Sequence, residues 1–171
     1  VNSPDPHYLR SLVFRCFWDG EPFPSVECPP GDFFCVGHGA VSTFENAAFS
    51  MASNKSRVYG RFAPMNCWVP MPFSESARLE ITNDSEIPVT AFYFHIDYRE
   101  YEQLPGTPWY LHATWHRENP CDGWKGPGSV AWGPEWVSRH QTDEDSNQTG
   151  SGDYVILDAR GRRTYFGCNL S

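Results

Sequence analysis

Three short stretches of this chain carry side chains that could do chemistry. The first runs Ser25-Val26-Glu27, then Gly31-Asp32-Phe33-Phe34 and Gly37-His38-Gly39. It brings two carboxylates and an imidazole together on a glycine-punctuated loop whose backbone can approach a ligand closely. The structural alternative is that Asp32 caps a turn and His38 satisfies backbone groups. The second is Phe94-His95-Ile96-Asp97, where strand alternation puts His95 and Asp97 on one face to orient each other or bind a hydroxylated ligand. The third is His112-Ala113-Thr114-Trp115-His116, with His112, Thr114 and His116 sharing a face. None of these histidines has a defined ligand spacing, so hydrogen-bonded sheet histidines are expected and no metal or other cofactor is.

Nucleophilic hydrolysis lacks its usual contexts, since there is no G-x-S-x-G elbow and no cysteine in a protease-like setting. Paired carboxylates for glycoside hydrolysis would be sought among Glu27, Asp32 and Asp97, at a separation that sequence does not fix.

The elements that must position these groups read as strands. Leu9 to Trp18 alternates with Leu12, Phe14, Cys16 and Trp18 on one face, and Asp19-Gly20 marks a turn. The proline-rich segment from Pro22 to Pro30 should be an extended crossover. Further strands are expected at Cys67 to Phe73, Ala77 to Thr82, Val89 to Tyr98, Trp109 to Arg117, Tyr154 to Asp158 and Thr164 to Cys168. Their spacing predicts an all-β antiparallel sandwich. One short helix is expected around Ser42 to Met51, capped by Ser42 or Thr43. The polar segment at about 118–152 reads as a long surface loop in a single domain spanning 1–171.

With 171 residues, a net charge of -8 and only Lys55 and Lys125 as lysines, the chain has no basic face for a polyanion, which excludes nucleic acid as an expected partner. No run approaches the roughly 18 apolar residues of a membrane span. Six cysteines without a C-x-x-C pair leave disulfides or buried thiols open. Sequons at Asn54, Asn83, Asn147 and Asn169 are glycosylation candidates. Together these features lean towards an extracellular, secreted setting.

Several ordered motifs point further. They are Phe17-Trp18-Asp19-Gly20-Glu21, Pro24-Ser25-Val26-Glu27, Gly31-Asp32-Phe33-Phe34 with Gly37-His38-Gly39, and Met65-Asn66-Cys67-Trp68-Val69-Pro70-Met71-Pro72-Phe73 leading to Ser76-Ala77-Arg78. They continue as Ile96-Asp97-Tyr98, His112-Ala113-Thr114-Trp115, Asp153 to Ala159 and Tyr165 to Leu170. In these motifs the chain resembles glycoside hydrolase family 172, whose members include an α-D-fructofuranosidase and a difructose dianhydride I synthase/hydrolase.

The resemblance implies a jelly-roll β-sandwich, part of a tandem double jelly-roll subunit, in a homo-oligomer that is a trimer or higher. It implies a retaining two-carboxylate mechanism on fructofuranosides or related furanosides, with the catalytic glutamates downstream of this chain. No catalytic residue is therefore assigned here, and both flanks of the family domain are expected to lie outside the segment. For a carbohydrate ligand, Glu27, Asp32, His38, Trp68 and Trp115 are the candidate contacts, because sugars are held by carboxylates on hydroxyls and by aromatic faces. Against the family pattern, Cys16, Cys28, Cys35 and Cys121 stand out as extra. That even set implies two disulfides, with Cys28 and Cys35 one possible pair. The alternative function is a non-catalytic structural or carbohydrate-binding subunit of an extracellular assembly, since jelly rolls serve both.

Overall fold

A computed structural model describes residues 1–54, 57–60, 62–104, 106, 109–118 and 153–170. The chain divides into two compact units, Val1–Trp115 with Asn169–Ser171, and His116–Cys168.

The first unit is all-β apart from single helical turns. A turn of helix α1 (Tyr8–Ser11) leads into β1 (Leu12–Trp18), followed by β2 (Val26–Cys28) and α2 (Pro30–Phe33). A 3-10 turn at Gly37–Gly39 precedes β3 (Phe44–Glu45), β4 (Phe49–Met51), β5 (Met65–Cys67), β6 (Ala77–Asn83) and β7 (Ala113–Thr114). One sheet has the order β6-β1-β2-β7 and the other β3-β4-β5. Every pairing is antiparallel except β2 with β7, where Val26 and Glu27 lie beside Ala113 and Thr114 in parallel.

The alternation read in β1 holds. Leu12 joins one core cluster with Tyr8, Leu9, Val36, Val41, Met51 and Ala63. Cys16 and Trp18 join the other with Val26, Cys28 and Phe33, and Phe14 packs on it. Phe49 and Cys67 from the second sheet close over that same cluster, which makes the two sheets a sandwich. Phe33 is its hub, meeting Phe14, Phe34 and Phe49 edge-to-face at 4.8, 5.1 and 5.8 Å.

Several expectations change, among them the strands at Cys67 to Phe73 and Trp109 to Arg117, which are strands only at Met65–Cys67 and Ala113–Thr114. Tyr8–Ser11 is helical because the Asp5 carboxylate accepts the His7 N–H at 2.7 Å and turns the chain, after which Ser11 N–H reaches His7 O. The Ser42 to Met51 helix is instead the β3–β4 hairpin, since Asn46 Oδ1 accepts the N–H groups of Ala48 and Phe49 at 2.9 and 2.8 Å and closes a turn. The crossover from Pro22 to Pro30 contains β2 and ends in α2, with Pro30 in the first helical position where its missing N–H costs nothing. The segment from Val89 to Tyr98 has only the Asn2–Ala91 bridge among the described residues, and neither Tyr154 to Asp158 nor Thr164 to Cys168 forms a strand.

Gly31 on α2 lies close against Leu9 on α1. A Cβ there would lie 2.8 Å from Leu9 O and 3.0 Å from Leu9 Cβ. The obstacle is backbone, so one helical turn must shift. Gly31→Ala should cost about 1–2 kcal/mol, read as a lower midpoint in chemical denaturation.

Candidate functional site

The end of the four-stranded sheet gathers the best-formed polar cluster. Asp19 and Gly20 both have positive φ, 51° and 75°, and Glu21 N–H reaches Trp18 O at 3.0 Å. That is the tight turn an Asp-Gly pair favours. It aims the Asp19 carboxylate at the loop before β6, where it accepts the N–H groups of Ser74, Glu75 and Ser76 at 2.9, 2.6 and 3.1 Å. The Tyr110 hydroxyl donates to its other oxygen at 2.6 Å. Burial alone would raise the Asp19 pKa, but the hydrogen bonds from Tyr110, Glu75, Ser76 and Ser74 outweigh it and hold the carboxyl far below its ordinary range.

Glu21 completes the cluster. Its carboxylate accepts the Trp18 N–H at 3.0 Å. Burial raises its pKa, while the Ser25 hydroxyl, the Trp18 N–H and the nearby His112 lower it by more, so Glu21 is also held ionised. Trp18 Nε1 donates to Leu111 O at 2.9 Å and ties the same region to the chain entering β7.

The five residues expected to contact sugar are distributed over this unit. Glu27 stands on the outer face of the sheet, exposed, with Oε2 2.8 Å from Arg15 Nε. Arg15 Nη1 also donates to Thr82 Oγ1 at 2.8 Å, and Arg15 lies opposite both Glu27 and Glu80. With Thr114 beside Glu27, this makes a polar row across all four strands. On the same face the Arg78 guanidinium covers the Phe17 ring at 3.8 Å and pairs with Glu80, which is how an outward-facing phenylalanine is buried.

Asp32 lies behind the sheet, its side chain only 9% exposed, with Oδ2 3.2 Å from Arg10 Nε. The pair is held by charge rather than by an aligned hydrogen bond. Burial raises the Asp32 pKa, and Arg10 acts in the opposite direction. His38 is exposed at φ 57°, and Gly39 after it packs on the Arg10 stem. Trp68 and Trp115 are both exposed, Trp68 anchored through its N–H to Ala48 O. Among the described residues, no hydrogen bond or ion pair joins any two of Glu27, Asp32, His38, Trp68 and Trp115. His95 and Asp97 do pair, at 3.1 Å, both almost fully exposed. In the second unit His116 stacks on Tyr154 and contacts Val155 O at 2.7 Å.

Reading strands by alternation does not reveal Arg10 or Arg15 as partners of the acids. The usable signal for Arg15 is its outward register between hydrophobic neighbours; Arg10 has none, because the four-residue helical turn that places it is too short to show a period.

The expected disulfide between Cys28 and Cys35 is not formed. Cys28 is a buried thiol on β2, facing the inner cluster with Cys16, and both keep free thiols; burial first, and then neighbouring charges, push each up to about 12. Cys35 sits beyond the end of α2 and is half-buried. Cys121 and Asn147, with most of the expected 118–152 loop, lie outside the described residues. Asn54 is exposed and Asn169 half-buried, while Asn83 uses its amide to close a turn, donating to Ile87 O and accepting from Ser85. Among the described residues there is no group of three or more His, Cys, Asp or Glu that could hold a metal, and no helix long and apolar enough to cross a membrane.

The family model described as GH172 domain-like matches residues 3–94, more than half of the chain. The chain belongs to this family. The match takes in β1 to β6 and with them Asp19, Glu21, Glu27, Asp32, His38 and Trp68; Tyr110, His112 and Trp115 follow it in the chain. Comparison with curated proteins finds no match. Within this GH172-like protein, the cluster around Asp19 and Glu21 and the row around Glu27 are therefore the features to weigh for a glycosidase-related role.

Proposed function

We propose that this chain is the scaffold and pocket wall of a secreted glycosidase acting on fructofuranosides or related furanosides, with the acid–base chemistry supplied by carboxylates other than those described here. The observation that carries this reading is the state of the acids inside the family match. Asp19 and Glu21 are held ionised by donors that already occupy them. Asp32 is closed off by Arg10, and of these four acids Glu27 combines exposure with an orientation fixed by an ion pair. A general acid must hold a proton near neutral pH, which Asp19 and Glu21 are built not to do. Glu27, oriented by Arg15, is suited to accept hydroxyl hydrogen bonds from a sugar.

The test is calorimetric titration of the protein with a panel of furanosides, alongside an assay for hydrolysis. Saturable binding is expected, and Glu27→Gln, which keeps the shape and removes the charge, should weaken it about tenfold. Unchanged binding by the variant would remove Glu27 from the pocket wall.

A second reading is favoured by a different observation. Tyr93, Phe94 and Tyr98 are 83, 75 and 71% exposed in one extended run. Such a surface suits an assembly role, a structural or carbohydrate-binding subunit in a homo-oligomer. Turnover separates the two, because an oligomer fits both readings, whereas the assembly role requires no hydrolysis of furanosides by any form of the protein.

A further inference from the structure

Cys35 and Cys67 come from different elements, which meet where α2 sets its rings on the three-stranded sheet. Phe33 and Phe34, at the end of α2, both set their rings against Phe49, at 5.8 and 6.4 Å. Phe49 on β4 lies directly opposite Cys67 on β5. Cys35 follows Phe34 immediately, at φ 60°, its N–H turned back to Asp32 O. The two aromatic contacts thus deliver residue 35 to the strand pair that carries residue 67. Burial raises the Cys67 pKa, the hydrogen bond from Val69 N–H opposes it, and charge on Cys35 raises it again.

Exposure separates this pair from the other thiols of the first unit. Cys16 and Cys28 are sealed in the core, whereas Cys35 and Cys67 are each only half-buried and within reach of a small reagent.

We propose that Cys35 and Cys67 form a disulfide by exchange with a low-molecular-weight disulfide of the glutathione type. The thiolate of one attacks a sulfur of the reagent and expels one reduced thiol. The second thiolate then attacks the resulting mixed disulfide and expels the other. Two protein thiols become one S–S bond, and two electrons and two protons leave with the two reduced thiols. The bond ties the end of α2 to β5 and closes a loop that carries the Gly37–Gly39 turn, with His38, and the β3–β4 hairpin. Its position next to Trp68 links two of the exposed side chains expected to meet sugar.

The experiment is incubation of the protein with oxidised glutathione, acid quench, alkylation and peptide mapping without reduction. The expected product has lost about 2 Da, two hydrogens, contains a peptide cross-linked through Cys35 and Cys67, and melts about 5 °C higher than the reduced form. Cys35→Ser and Cys67→Ser should each abolish the cross-link, and Cys16→Ser should leave it. Alkyl label on both Cys35 and Cys67, two separate glutathione adducts, or a cross-link from Cys67 to Cys16 would each overturn the proposal. The map of the unmutated protein decides the matter even where a variant does not fold.

Discussion

Arg10→Met is expected to destabilise the protein by about 2–4 kcal/mol, because it strands the Asp32 carboxylate. The methionine keeps much of the packing of the arginine stem against Gly39 and removes the guanidinium. Asp32 is 9% exposed, so the carboxylate left behind finds little water. The loss should depend on pH with a definite sign. Burial already sets the folded Asp32 pKa above its ordinary value, and Arg10 is the opposing influence. Without Arg10 the folded pKa rises further. An acid whose folded pKa is raised binds its proton more tightly when folded, so its stability penalty is absent below the unfolded pKa and grows as pH climbs from there through the folded pKa. The variant should therefore recover much of its deficit near about pH 4. Asp32→Asn in the Arg10→Met background should restore stability at neutral pH, since no buried charge then remains. Urea denaturation of the two variants across pH is the measurement. An Arg10→Met variant within about 0.5 kcal/mol of the unmutated protein at neutral pH would show that the pair carries no such load.

That prediction turns on a residue the sequence did not disclose, and the reason is physical. Alternation located β1 and β6 well, because a strand with one buried face writes its register into every second residue, and Leu12, Phe14, Cys16 and Trp18 do face the core. The turn at Asp19-Gly20 was legible because few residue pairs tolerate two positive φ values. Short helical turns are different. Tyr8–Ser11 and Pro30–Phe33 each hold four residues, too few to show a period, and their existence depends on Asp5, the prolines and tertiary packing. The β3–β4 hairpin was misread for a related reason, since Asn46 directs its turn through a side-chain bond that composition does not record. The candidate site divided along the same line. Glu27 is a candidate in the sequence only as an acid on a proline-rich crossover, and its strand position and orientation by Arg15 need the register of two neighbouring strands. Asp32 is a ligand candidate in the sequence, and its burial against Arg10 is visible only in the fold.

Asp19→Asn is expected to cost about 1.5–3 kcal/mol at neutral pH and to remove part of the protein's sensitivity to acid. The side chain accepts three consecutive N–H groups on Oδ1, while Oδ2 takes the Tyr110 hydroxyl and a second bond from the Ser74 N–H at 3.1 Å. Asparagine keeps the shape and tolerates φ 51°, but it turns an NH2 group towards one or more of those donors. The cluster is open to solvent, and water takes up part of the loss, which is why the expected cost is that of roughly one charged hydrogen bond rather than four. The sign of the pH effect is opposite to that of Asp32. The folded Asp19 pKa lies below its ordinary value, so its contribution is present above the unfolded pKa near about 4 and disappears as pH falls towards the folded value. The unmutated protein should lose stability between about pH 5 and pH 2, and the variant should lose less over the same interval. Tyr110→Phe, which deletes one donor and leaves the charge, should cost only about 0.5–1 kcal/mol and keep most of the acid limb. If both variants retain the full acid limb, the carboxylate is not what fastens the turn after β1 to the loop before β6. A Tyr110→Phe loss as large as that of Asp19→Asn would instead place the weight on the phenol.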